Sequence, residues 1–315
     1  MNPSTTARTF ATSLFLLSAL AAQNLVANPG FESGNGGFSS DYGYSAGSNC
    51  CEGQYTVRNN GNTFNGAFVN PPPASPGSSN MMVINGSTVP NERVWYVSVA
   101  VTTGTLYRFE LAGCTAVQGG PGILQWQVDG SLIGTPLPLP APTGIWQVNG
   151  ATWVATQTGT VEVAIRNLNT NAFPNDFYID DIFIGACSAC WDNYGSGFPG
   201  SAGIPNLVPS APPVIGTSID FVMTSVRSVP ALGVLVLGTA VANATTPFGG
   251  TLLATPNVLI THVVPAAPAS GTEPFMIPNN GGLVGFELFA QFAHLDPTAS
   301  AGFAFSRGLR LRLGN

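Results

Sequence analysis

Apolar residues in this chain recur at a period of two, and turn-forming residues interrupt them at short intervals. Side chains alternate across a β-strand, so this period marks strands with one buried face. It runs through Val94 to Val101, Leu106 to Leu111, Ile123 to Val128, Val161 to Ile165 and Phe177 to Ile184. Thr103-Gly104, Asp129-Gly130, Asn149-Gly150 and Thr158-Gly159 supply turn signals between the runs. Glycine (38) and proline (26) fill a fifth of the 315 residues, which weighs against helices. No amphipathic helical pattern stands out after the first segment. The expected fold is all-β, built as antiparallel sandwiches.

Charge narrows the functional classes. Charged residues make up 8% of the chain, against about 25% in an ordinary soluble domain. All nine basic residues are arginine, they form no basic block, and the net charge is −6. Nucleic acids and anionic membrane surfaces are bound through basic patches, so neither is an expected partner.

Residues 1–21 read as a secretory signal peptide. Arg8 gives a positive start, Phe10 to Leu20 an apolar core, and Ala19-Leu20-Ala21 a small-residue cleavage pattern. The core is shorter than the roughly 20 apolar residues of a spanning helix. The apolar run Leu232 to Ala242 is only eleven residues long, so no membrane span is expected. The protein is expected to be secreted or extracellular. Export makes Cys50, Cys51, Cys114, Cys187 and Cys190 disulfide candidates. One bridge from Cys50 or Cys51 to Cys114 is expected, with a short Cys187–Cys190 loop beside it. The organisation predicted is a domain over 22–186, a Gly/Pro/Ser-rich linker and domain start over 187–216, and a C-terminal β-sandwich over 217–315.

Two end motifs carry a resemblance. Asn24 to Gly34 reads NLVANPGFESG and Asn175 to Ile184 reads NDFYIDDIFI. Between them lie EGQYTV at 52–57, SNMMVING at 79–86, Trp95, LQWQVDG at 124–130, Trp146 and Trp153. This order resembles the galactose-binding-like jelly roll of the carbohydrate-binding modules carried by secreted glycoside hydrolases, in one bacterial subgroup. The resemblance implies a first strand lying beside the last, a polysaccharide or glycan ligand, and a bacterial cell-surface or extracellular setting. Two departures stand out. Ala112 replaces a customary tryptophan, and the stretch from Pro71-Pro72-Pro73 to Ser79 replaces a polar loop.

If the end strands are neighbours, Glu32 and Asp180 meet. Paired carboxylates repel unless a positive group lies between them, and no arginine adjoins either in sequence. A hard divalent cation with oxygen ligands answers this, and the resemblance implies a structural Ca2+ held by Glu32 and Asp180. Asp181 is the second candidate. Alternation puts Asp180 on the face of Tyr178, Ile182 and Ile184, with Asp181 opposite. The alternative is that Glu32 caps a turn and the Asp pair is solvated.

Sugar binding uses flat aromatic rings and hydrogen-bonding side chains. Trp95, Tyr107, Trp126, Trp146 and Trp153 are possible platforms, but Trp95 and Trp126 share faces with Val and Leu and read as core. Tyr42, Tyr44 and Tyr55 lie in polar, Gly-rich surroundings and are expected to be exposed. Arg108, Gln125 and Gln127 are the expected hydrogen-bonding partners.

In the second half, YGSGFPGSAGIPNL at 194–207, VPALGVLVLG at 229–238, LFAQFAHLDP at 288–297 and FSRGLRLRLG at 305–314 resemble a C-terminal β-module of exported bacterial proteins. The module customarily has cysteine where Phe198 stands, which would leave Cys190 without that partner. Leu309, Leu311 and Leu313 alternate with Gly308, Arg310 and Arg312, one face buried and one wet. No catalytic constellation is evident. Gly43-Tyr44-Ser45-Ala46-Gly47 matches GxSxG but lacks the strand-to-helix setting of a nucleophile elbow. Asp180 and Asp181 adjoin on one strand and do not make a glycosidase pair. The expected function is therefore non-catalytic carbohydrate binding, or alternatively a structural or adhesive role against envelope proteins.

Overall fold

A computed structural model describes residues 23–49 and 51–315. The signal-peptide reading and Cys50 fall outside the described residues. The first half contains β1 (Gly43–Tyr44), β2 (Gln54–Arg58), β3 (Met81–Asn85), β4 (Arg93–Val101), β5 (Leu106–Thr115), β6 (Ile123–Val128), β7 (Ser131–Pro138), β8 (Gln147–Val154), β9 (Gly159–Asn167) and β10 (Phe177–Ala186). The second contains β11 (Cys190–Tyr194), β12 (Asn206–Pro209), β13 (Ser218–Thr224), β14 (Ala231–Gly238), β15 (Val241–Thr245), β16 (Thr251–Ala254), β17 (Val258–Val264), β18 (Gly271–Met276), β19 (Glu287–Leu295), β20 (Phe303–Phe305) and β21 (Gly308–Arg312). Two short 3-10 turns, Gly61–Thr63 and Gly281–Leu283, are the helical elements among the described residues. The all-β expectation holds. Among the same residues, no helix is long and apolar enough to cross a membrane.

In the first half a sheet of order β1-β2-β3-β10-β5-β8 faces one of order β4-β9-β6-β7. Their inner faces interdigitate around Trp95 and Trp126, which meet edge to face at 6.4 Å. Asp129-Gly130 makes the hairpin between β6 and β7, both residues at positive φ, as the paired geometry of such turns requires. The opening segment runs beside β10. Leu25 N–H donates to the Ile184 carbonyl at 2.7 Å, and Ile182 N–H donates to the Pro29 carbonyl at 2.9 Å. Chain ends far apart in sequence are thus joined.

Asn149-Gly150 is not a turn. It lies inside β8, because the second half packs there. A Cβ on Gly150 would stand 2.3 Å from the Trp191 ring, so only glycine admits that contact.

The second half places a sheet of order β11-β21-β19-β14-β17 against β12-β13-β18, with the β15-β16 hairpin alongside. Phe221, Leu235, Phe292, Leu309 and Leu311 fill its core. The stretch 187–216 is more than a connector, since it carries β11, paired to β21, and β12, paired to β13. Local composition hides these strands because their partners lie in distant sequence.

Cys187 and Cys190 form a disulfide. Phe198 instead packs against Phe305. The expected bridge to Cys114 is absent. Cys114 is free and buried among Phe64, Phe68 and Tyr178 on the outer side of the first sheet, while Cys51 is disulfide-bonded elsewhere. Burial in that apolar layer pushes the Cys114 thiol up to about 12.

Candidate functional site

The acidic end motifs do come together, through a device the sequence does not announce. The pairing of β10 with β5 shifts between Asp180 and Phe183, and Asp181 adopts φ 50°. This β-bulge reverses the phase of the strand. Phe177 and Ile179 face the core before it, and Ile182 and Ile184 face the core after it, while Tyr178 joins the outer layer. Strict alternation therefore fails here. Both Asp180 Oδ1 and Asp181 Oδ1 lie beside Gly30, at 3.7 and 3.9 Å from where a Cβ would stand.

A loop replaces the missing positive charge with neutral donors. The Ser78 hydroxyl donates to Asp180 Oδ2 at 2.7 Å, and the Ser75 hydroxyl donates to Asp181 Oδ1 at 3.1 Å. Ser79 N–H and Asn80 N–H donate to Glu32 Oε1 at 2.7 and 2.9 Å. Glu32 is thus engaged by the 78–80 loop and stays exposed, whereas Asp180 is buried and not solvated as the alternative had it. Backbone donation from Ser79 holds the Glu32 carboxyl below the usual range.

Asp180 is the opposite case. Burial, reinforced by the neighbouring charges of Asp181 and Glu32, pushes its carboxyl up to about 7. None of the three acids enters an ion pair among the described residues. An all-oxygen donor set with surplus negative charge suits a hard cation such as Ca2+. Among the described residues, however, no group of three or more His, Cys, Asp or Glu side chains stands in ligating geometry. Asp180 and Asp181 fit as the carboxylate pair, with hydroxyl and carbonyl oxygens left to complete the shell.

A second feature lies where the two sheet edges meet. The segment before β1 laces them, with Ser39 bridging to Tyr96 of β4 and β1 pairing with β2. Phe31, Phe38, Tyr55 and Tyr44 form a chain of ring contacts at 5.3, 6.1 and 5.5 Å that runs from the core to the surface. Tyr44, at its outer end, is 48% exposed. The Tyr55 hydroxyl donates to Asn35 Oδ1 at 2.9 Å. A cleft of about 400 Å³ opens between Phe38, Ser39, Tyr96 and Ser98. Arg93 stacks over Tyr96 at 3.8 Å and is itself held by Asp41 and Glu162, each at 2.7 Å. The hydrogen bond from Arg93 keeps the Asp41 carboxyl below its ordinary value.

The other expected ligand residues are not free. Tyr42 is buried, its hydroxyl accepting Ser87 N–H at 3.2 Å, and the body of Tyr55 is buried too. Gln125 and Gln127 are buried and donate to the Gly134 and Gly130 carbonyls of the β6–β7 hairpin. Arg108 is buried, paired to Glu110 at 2.9 Å and stacked on Phe183. A strand's outer face reads as exposed in sequence, but a hairpin and the second half cover these positions. Tyr96 escaped sequence reasoning because it sits within the valine-rich run of β4. Its phase, opposite to Trp95 and Val97, was the available signal.

No family model and no curated protein matches this chain. Solved structures with a similar trace include the tandem CBM22-1-CBM22-2 domain of Paenibacillus barcinonensis Xyn10C, at 10% identity and TM-score 0.38, covering 94% of this chain and 91% of that one. The C-terminal domain of the sugar-binding protein EclA matches at 20% identity and TM-score 0.28, over 36% of this chain and 90% of that one. Tandem CBM51 modules of Streptococcus pneumoniae Sp3GH98 match at 8% identity and TM-score 0.28, over 87% and 99%. These neighbours are carbohydrate-binding modules, weakly matched, and likeness at this level extends to neither ligand nor site.

Proposed function

We propose that this chain is an exported, non-catalytic protein that binds a polysaccharide or glycan at the cleft lined by Phe38, Ser39 and Tyr96, beside the exposed Tyr44. The observation that carries this reading is the run of rings reaching the surface beside an open cleft. Tyrosine presents an apolar face to a pyranose ring and a hydroxyl to its rim. Ser39 and Ser98 add neutral hydrogen-bonding groups. The non-catalytic part is supported by the fate of the GxSxG serine, whose hydroxyl donates to the Ser48 carbonyl at 3.2 Å in an exposed loop. Glycan arrays and calorimetry with polysaccharides test the reading. Binding should weaken about tenfold or more in Tyr44→Ala and Tyr96→Ala, the scale of a lost aromatic hot spot. Flat responses across both methods would falsify it.

In the same reading, Asp180 and Asp181, with Glu32 nearby, hold a structural calcium ion that staples the opening segment to β10. Its role is to fix the fold around the cleft, not to act on a substrate.

The alternative, a structural or adhesive envelope protein, is favoured by one observation. Leu259 and Val263 of β17 are 61% and 69% exposed on an edge strand without charge or proline at those positions. Exposed apolar edges mark protein interaction. Pull-down from envelope extracts that depends on Leu259 and Val263, and not on Tyr44, would decide for it.

A further inference from the structure

A second cleft, of about 300 Å³, lies at the junction of the two halves and exists only because they are docked. Its first wall is the end of β8 with Leu106 of β5. Its second is made by β11, β19 and β21.

Contacts from both halves hold the junction. Arg307 is buried without a carboxylate and donates to Asn149 Oδ1 at 2.6 Å and to the Pro136 carbonyl at 3.4 Å across the boundary. Trp191 packs on Gly150, and the Cys187–Cys190 disulfide ties the chain where it crosses. Walls held this way are preformed, as ligand sites usually are.

The polar groups in the cleft divide into two kinds. Arg310 grips Asp192 with both branches, each at 2.9 Å, and reaches the Thr152 hydroxyl at 3.5 Å. That pair is spent on fixing the wall. Arg312 and Glu287 approach only to 4.0 Å, too far for a hydrogen bond, and their side chains are 49% and 34% exposed. Apart from this loose ion pair, the guanidinium's donors and the carboxylate's acceptors make no hydrogen bond among the described residues, and both groups line the cleft. Two acids against two bases leave the cleft neutral, so it favours neither an anion nor a cation. A hydroxyl both donates and accepts, and it fits between such a pair. The half-exposed Trp153 and the exposed Val154 add apolar surface.

We infer that this junction cleft is a second binding site, for a neutral saccharide of one or two rings. The size follows from its volume, at the lower limit of ligand pockets. The site is separate from the tyrosine cleft and stands on different residues. It gives the docking of the two halves a function, since neither half alone builds it.

Calorimetric titration of the full chain with cellobiose, maltose, lactose and xylobiose tests this, with digalacturonate as the charged control. At least one neutral disaccharide should bind. Glu287→Ala and Arg312→Ala should each weaken it by about tenfold or more, the effect of losing a charged hydrogen bond. Both side chains are partly exposed and outside the core, and an unchanged melting temperature confirms that the variants fold. No binding by any neutral disaccharide, binding indifferent to both variants, or tighter binding of digalacturonate overturns the inference. Loss of binding in Tyr44→Ala alone overturns it while leaving the tyrosine cleft intact. Loss in Glu287→Ala alone upholds it and counts against the tyrosine cleft.

Discussion

Asp180 in the first half and Asp296 in the second are both buried, at 1% and 0% exposed, yet their carboxyls titrate in opposite directions. Burial raises both. At Asp296 it is outweighed by the Ser201 N–H, the Thr298 and Ser201 hydroxyls, and Arg227 at 3.5 Å, which hold the carboxyl at about 2. At Asp180 the donors are the Ser78 hydroxyl and the Asp181 N–H, the nearest charges are negative, and the carboxyl stands at about 7. Burial makes a carboxylate sensitive; the sign of its neighbours decides the direction. The contrast extends further. Asp192, Glu273 and Glu287 each face Arg310, His262 or Arg312, whereas the acids around Gly30 face only one another and neutral donors.

The largest expected effect is at Asp296. Asp296→Ala leaves Arg227, Ser201 and Thr298 without their acceptor, and breaking one side of a buried pair costs about 3–5 kcal/mol. Urea denaturation should record a loss on that scale. A loss below about 1 kcal/mol would remove the contrast between the two sites.

Calcium follows. An ion bound only by the folded state adds about 2.7 kcal/mol at 100 times its Kd. Thermal melts at neutral pH should show that gain, and Asp180→Asn should abolish it. A gain that survives Asp180→Asn would place the ion elsewhere.

Acid dependence sharpens the comparison next. Asp180 keeps its proton up to about 7 when folded, while an unfolded Asp loses it near about 3.9. Its contribution to stability is full below about pH 4 and is lost as pH rises through about 7. In cation-free buffer the melting temperature of Asp180→Asn relative to the parent should therefore climb across that window. Asp296 contributes above about pH 4, and its contribution is lost as pH falls towards about 2. A flat difference for Asp180→Asn would mean that its burial is relieved in solution. The smallest effect is at Ser78. Ser78→Ala removes one donor to Asp180 and should cost about 1 kcal/mol at neutral pH, measured by denaturation.

Much of the fold was legible. Period-two runs located β4, β5, β6, β9 and β10 in the first half, and the alternation of Leu309, Leu311 and Leu313 located β21 in the second. The end motifs correctly implied that residues near 30 and 180 are neighbours. Among the strands without such a run, β15 and β18 were missed because they lie at exposed margins where alternation carries little signal, and β16 because its four residues are too few to show a period. The candidate ligand residues fared worse. Only Tyr44 is openly exposed; Arg108, Gln125 and Gln127 are covered by elements whose approach no local pattern encodes.

The strands that carry a period-two run, the turn at Asp129-Gly130 and the conflict between acids gathered without a base could be read from the chain alone. These follow from residue chemistry read over a few neighbours at a time. That a bulge turns Asp180 and Asp181 to one side, that Gly150 receives Trp191, and that Ser39 bridges to Tyr96 across the sheet edges came only with the folded arrangement. Those outcomes depend on which distant surfaces meet, and a side chain's exposure and charge environment are set by that meeting.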